Sequence, residues 1–445
     1  MSDLLYTTPE LAGAFAPANH VAQILAFEAA LARAQARAGL IPIAAAEAIA
    51  AACRPDLYDV EALYREAARA GTVAIPLVRA LTARADDPGP AYVHWGATSQ
   101  DAVDTAMMLQ LRAGLAQIEA DLLRLCRACA CLAEAHRSTL MPGRTLLQQA
   151  LPMPFGLKAA RWLGLAVRQA RALRLRRAQL AIQLGGAAGT LAALGGQGLA
   201  VAELLAEELG LAAPDLPWHA ERDRTVALAA DLGVAAGAAA KVAHDIVLLA
   251  QSEVAEASEA AAPGKGGSSA MPQKRNPIDA TMARAAARLA IGLVPTLLGA
   301  MDQEHERAAG AWQAEWRALP DLACYAGGAI ARAADAVAGL AVDPARMRAN
   351  LDAGGGLLMA EALTMALAPR LGRPEAQRIV QALCARAVAA GTPLHQEALA
   401  DPTVGAILNP AAVAAALDPR GYLGSADALI DRALAGYREL VTEEG

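Results

Sequence analysis

Residues 101–139, DAVDTAMMLQLRAGLAQIEADLLRLCRACACLAEAHRST, place apolar side chains at Met107, Leu111, Leu115, Ile118, Leu122, Leu125, Cys129 and Leu132. The spacings are 4, 4, 3, 4, 3, 4 and 3 residues. That rhythm is the seam of a helix that packs against other helices along its whole length. At about 1.5 Å per residue such a helix runs roughly 50 Å. It should stop before Met141-Pro142-Gly143, where a helix loses a donor and gains backbone freedom.

Working outward, further long helices are expected at about 153–183, 223–260, 277–303 and 315–340. With the first they make a central, elongated five-helix bundle over residues 101–350. Residues 1–100 and 351–445 read as short helices punctuated by proline, giving an N-terminal and a smaller C-terminal domain. The expected class is all-α in three domains. Composition agrees: 56% of the 445 residues are apolar but only 3% aromatic, and Ala and Leu, both helix formers, dominate. The seams should bury more apolar surface than one bundle covers, and oligomerisation is the outlet.

A net charge of −6 argues against a nucleic-acid partner and gives no reason to expect a membrane surface. Cys53, Cys126, Cys129, Cys131, Cys324 and Cys384 show no disulfide or metal framework, which fits a reducing cytoplasm. The first residues carry no basic and apolar leader pattern. The uncharged stretch Leu180–Ala202 contains six glycines and reads as a tight turn between helices.

The chemistry concentrates in Gly264-Lys265-Gly266-Gly267-Ser268-Ser269-Ala270-Met271-Pro272-Gln273-Lys274-Arg275-Asn276-Pro277. Between Glu259 and Asp279 lie three cations, Lys265, Lys274 and Arg275, and no acid. Two adjacent hydroxyls in a glycine-rich loop beside cations suit holding an anion while a proton moves. The run has the form G-S-S-x-M-P-x-K-x-N-P and is similar to the signature of the fumarase/aspartase superfamily, with all eight defined positions met. The resemblance implies that Ser268 is the general base and that Lys274 and Asn276 bind a substrate carboxylate.

Two more stretches carry the resemblance. His94-Trp95-Gly96-Ala97-Thr98-Ser99-Gln100-Asp101 resembles the first signature region. Thr98 or Ser99 can cap the helix that follows, and the same turn offers amides to a carboxylate. His94 matches a histidine of the adenylosuccinate lyase branch and is a candidate substrate contact. Gly143-Arg144-Thr145-Leu146-Leu147-Gln148-Gln149-Ala150-Leu151-Pro152 resembles the second region, usually G-R-T-H-x-Q-x-A-x-P. Arg144, Thr145 and Gln148 are candidate substrate contacts, but Leu146 stands where the family has a histidine acting at the leaving group.

That departure selects a reaction. Expelling an amine or hydroxide needs protonation, since water has a pKa of about 15.7. A carboxylate, whose acid has a pKa of about 4, leaves unaided. Residues 303–320 and 217–224 resemble the carboxymuconate cycloisomerase branch, which opens and closes a lactone. In the first of these, His305 and Arg307 could close a substrate pocket; in the second, His219 has a weaker case for that role and could instead be a satisfied interface histidine. The resemblance implies reversible lactonisation of a tricarboxylate in aromatic breakdown, with no metal or cofactor. It also implies a homotetramer whose active sites are shared between subunits. The rival is a fumarate-releasing lyase of the adenylosuccinate or argininosuccinate type.

Overall fold

The structure, a computed structural model, describes residues 4–260, 262, 264–267 and 270–443. Helices dominate. Those that position the site are α1 (Pro17–Arg37), α2 (Ser99–Ala135), α3 (Phe155–Ala178), α4 (Asp223–Leu249), α5 (Ile278–Leu298) and α6 (Ala311–Ala338). The five long helices expected from residue 101 onward are all present. Along the seam of α2, Met107 through Cys129 are buried and Leu132 is half-buried. Each fully buried leucine contributes about 1.5–3 kcal/mol relative to exposure.

The class is mostly-α, with two short two-stranded ribbons. Strands β1 (Leu140–Thr145) and β2 (Gln148–Pro154) form an antiparallel hairpin, in register from Leu140↔Pro154 to Thr145↔Gln148 with an irregularity at Gly143. Strands β3 (Ala257–Glu259) and β4 (Leu340–Val342) form the second. Helix α4 ends at Leu249, earlier than its periodicity suggests; beyond it the chain turns, with Ala255 left-handed at φ 50, and enters β3. The Leu180–Ala202 stretch runs through short 3-10 turns, Gly186–Ala188 and Ala192–Gln197, into the helix Gly198–Leu209.

By packing, the chain forms two compact units. The first comprises Met1–Leu123, Arg168–Lys241 and Met282–Ala333, the second Arg124–Val167, Val242–Thr281 and Ala334–Gly445. The core of the first gathers Ile24, Phe27 and Leu31 of α1 with Leu77, Leu184, Leu205 and Trp312. A core in the second is built from Leu363, Leu367, Val380, Leu383, Leu394 and Val413. Two adjacent glycines in α6 let the first unit close. A Cβ on Gly327 would stand 2.2 Å from Leu11, and one on Gly328 would stand 2.0 Å from the Tyr6 carbonyl.

Candidate active site

In the first unit the motif residues converge on one buried carboxylate. Thr98 occupies the cap position of α2, and Asp101, three residues on, accepts the Thr98 N–H at 2.9 Å. This is one arm of a capping box. Asp101 is fully buried and also accepts the N–H groups of Gly185 (2.9 Å) and Gly186 (3.0 Å) and the Nε2 of His219 (2.6 Å). Asp101 Oδ1 faces Gly185 and His219 while Oδ2 faces Thr98 and Gly186, so both oxygens of the carboxyl group are fully engaged. The buried Nδ1 of His219 has no partner among the described residues.

Gln100 extends this hub. Its Nε2 donates to the His219 carbonyl (2.8 Å) and to Asp104 (3.2 Å), while its Oε1 accepts Arg307 Nε at 3.0 Å. Arg307 also donates to the carbonyls of Gly186 and Ala187. Arg307 is therefore fastened beside the start of α2, whose first-turn amides at Ser99 and Gln100 are among those a helix leaves unpaired. His305 remains exposed, with a left-handed backbone at φ 49.

Below the hub, Arg222 is buried between two acids. It donates to Asp104 (2.8 and 3.2 Å) and to Glu315 (2.5 to 3.2 Å), and its guanidinium lies 4.7 Å from the Trp218 ring centre. Trp312 Nε1 donates to Asp104 at 2.9 Å. Burial would lower the Arg222 pKa, but the two carboxylates outweigh it and the net shift is upward. Burial raises Glu315, against the pull of Arg222. The first unit thus presents Thr98, Ser99, His94 and Arg307 on a rigid, hydrogen-bonded base.

In the second unit Arg144 makes a two-pronged ion pair with Glu256, Nη1 at 2.8 Å and Nη2 at 2.6 Å. Glu256 is fully buried and also accepts Asn350 Nδ2 at 2.8 Å. A cleft of about 570 Å³ beside the pair is lined by Arg144, Leu147, Gln148, Gln149, Glu253 and Asn350. The ion pair takes one N–H from each terminal nitrogen of Arg144, so a substrate contact would draw on the guanidinium's other N–H groups. Thr145 and Gln148 are exposed partners across the hairpin turn. Leu146 and Leu147 form the turn itself, with φ 51 and 65 and exposures of 96% and 75%. Positive φ at both positions is the geometry of a two-residue type I′ hairpin, which ordinarily selects Asn-Gly.

The signature loop is pinched at its base. Asn276 N–H and Nδ2 both donate to the Gly266 carbonyl, at 2.9 and 3.2 Å. Gly266 sits at φ 68, and a Cβ there would meet the Asn276 carbonyl at 2.6 Å. Lys274 is exposed, and Ser268 and Ser269 lie outside the described residues. Lys265, the first of the three cations in this stretch, is itself held by two acids. Its ammonium bridges Asp279 (2.5 Å) and Glu259 (3.4 Å), both nearly buried. Glu259 in turn accepts the N–H groups of Asp279 and Ala280 and so caps α5.

Sequence reasoning missed Asp101 as a hub, and Glu28, Arg222, Glu315, Glu256 and Asn350 altogether. Only Asp101 had a local signal, the capping spacing from Thr98. Of the two His219 nitrogens, Nε2 is partnered and Nδ1 is not, among the described residues. Among the described residues no group of three or more His, Cys, Asp or Glu is arranged to hold a metal ion.

Residues 5–292 match the lyase family, and residues 356–433 match the adenylosuccinate lyase C-terminus. The chain is 51% identical to the 3-carboxy-cis,cis-muconate cycloisomerase of Bradyrhizobium diazoefficiens, over 92% of each chain. It is 48% identical to the enzyme of that name from Pseudomonas aeruginosa, over 98% of this chain and 96% of that one. Among solved structures it resembles the 3-carboxy-cis,cis-muconate lactonizing enzyme of Pseudomonas putida. There the TM-score is 0.92 and the identity 44%, covering 99% of each chain.

Proposed function

We propose a reaction for this chain from one premise: it belongs to the lyase family, within the fumarase/aspartase superfamily. The reaction is the reversible lactonisation of 3-carboxy-cis,cis-muconate. The observation that supports it most is likeness over nearly the whole length to cycloisomerases of that name. Leu146 at the hairpin tip, in place of a histidine, agrees with a leaving group that needs no proton.

In the lactone-opening direction Ser268 removes a proton α to a carboxylate. The electron pair moves into an aci-carboxylate, which Lys274, Asn276, the hydroxyls of Thr98 and Ser99 and the first-turn amide of Ser99 stabilise. Each such donor contributes about 3 kcal/mol to the transition state. The C–O bond at the β-carbon then breaks and the ring carboxylate departs as an anion. In the reverse direction the carboxylate oxygen adds to that carbon and Ser268 returns the proton. His94, Arg307, His305, Arg144, Thr145 and Gln148 hold the remaining carboxylates and frame the pocket.

The working form is a homotetramer with active sites shared between subunits, in the cytoplasm. Exposed apolar side chains on α4 and α5 support a further partner surface: Val234 at 58%, Leu289 at 42%, Ile291 at 45% and Leu298 at 51%. The six cysteines, all free, suit a reducing compartment.

The test mixes purified protein with 3-carboxy-cis,cis-muconate and follows loss of diene absorbance, with fumarate release from adenylosuccinate as the control. Turnover of the first alone, lost by at least 1000-fold in Ser268→Ala, is expected. Turnover of the second alone would replace this reading with a fumarate-releasing lyase.

A further inference from the structure

The His94 backbone is left-handed, at φ 56, a conformation that a bulky residue keeps only when its surroundings over-determine it. Here α1 grips the turn twice. Glu28 Oε1 lies 2.6 Å from His94 Nδ1, and one heptad along the same helix Gln35 Nε2 donates to the Trp95 carbonyl at 2.6 Å. Glu28 is only 1% exposed, and its second oxygen is buried without a partner among the described residues. Deprotonating His94 would leave that carboxylate as an uncompensated buried charge, which proteins avoid.

The groups facing His94 all push one way. Burial opposes the imidazolium most strongly of any single cause, but Glu28 from α1 and Asp101 from the start of α2 together outweigh it, and the net shift is upward. Asp101 keeps its own four donors, including His219. Cys53, which faces Glu28, has its thiol pushed up to about 12 by burial and brings no charge at neutral pH. Arg33, on α1, is paired with Glu208. No described group hydrogen-bonds His94 Nε2, the nitrogen opposite Glu28.

We infer that Glu28 is a positioning residue that holds His94 as a fixed cation, its Nε2–H aimed at one carboxylate of the substrate. The inference rests on the proposed tricarboxylate substrate. It adds that recognition at this position is a charge pair fixed by a buried acid, not a neutral hydrogen bond. Glu28→Gln keeps the shape and a hydrogen-bond acceptor but removes the charge.

Two readouts test it. Histidine labelled at Cε1 with carbon-13, assigned with His94→Asn, gives the titration midpoint of His94. It should lie above the ordinary histidine value in the wild-type protein and at least one pH unit lower in Glu28→Gln. Propane-1,2,3-tricarboxylate should raise the wild-type midpoint further. With 3-carboxy-cis,cis-muconate, kcat/KM of Glu28→Gln should be about tenfold below wild type at pH 8 and should approach it at pH 6. Equal midpoints in the two proteins, a midpoint indifferent to the tricarboxylate, or a kcat/KM deficit constant across pH would each overturn the inference. A wild-type protein inert towards the muconate refutes the proposed reaction instead, and the titration arms still decide the Glu28–His94 pair.

Discussion

Replacing Arg222 by methionine tests whether the network under the start of α2 is held by one buried cation. In the native protein that guanidinium serves Asp104 and Glu315 at once, and all three side chains are at most 5% exposed. Arg222→Met keeps roughly the volume of the side-chain stem and leaves two carboxylates buried without their cation. Breaking a buried ion pair from one side costs about 3–5 kcal/mol, and we expect about 4 kcal/mol here. The pH dependence follows from Glu315, whose pKa burial raises while Arg222 opposes the rise. Removing Arg222 removes the opposition. The folded variant then takes up a proton at a pH where the unfolded chain, with an ordinary glutamate pKa of about 4.3, does not. Its stability therefore rises as pH falls through that window, so the deficit against wild type shrinks on acidification. Urea unfolding followed by circular dichroism at pH 7.5 and 5.5 measures both quantities. A variant within about 1 kcal/mol of wild type at pH 7.5, or a deficit that grows at pH 5.5, would refute the reasoning. Arg222→Lys should fall between the two, since lysine keeps the charge but not the fork.

Other consequences follow from the second unit. In Leu146→Asn/Leu147→Gly the turn residues match the turn. Two left-handed residues each cost about 1–2 kcal/mol, against about 0.5–1 kcal/mol for the added glycine entropy. Amide exchange in β1 and β2 should slow by at least about fivefold, the low end of that difference, and unchanged or faster exchange would contradict the strain assigned to the tip. Lys265→Met removes the shared cation of Glu259 and Asp279, which are 3% and 7% exposed, and should cost about 2 kcal/mol. The loss should appear as faster proteolytic cleavage within 262–276, and an unaltered cleavage rate would show that the bridge does not secure the loop base.

The balance between sequence and tertiary structure differs from element to element. The helix Ser99–Ala135 was legible because its seam repeats every three or four residues, and such a period is a property of the local chain. The signature run 264–277 was legible for a similar reason, since order within a dozen residues carries it. The hairpin Leu140–Pro154 was not, because Leu146-Leu147 is a poor turn on propensity and only the pairing of its flanking strands forces positive φ there. The charge of Lys265 is visible in the sequence, but its ion pairs depend on where Glu259 and Asp279 come to rest. Arg222 left no local trace, since its partners stand 118 and 93 residues away. The sequence by itself determined which stretches are helical and which residue types carry the chemistry, both short-range matters. Only the tertiary structure decided which charges are compensated, because that depends on distances of a few ångströms between segments remote along the chain and on the water excluded around them.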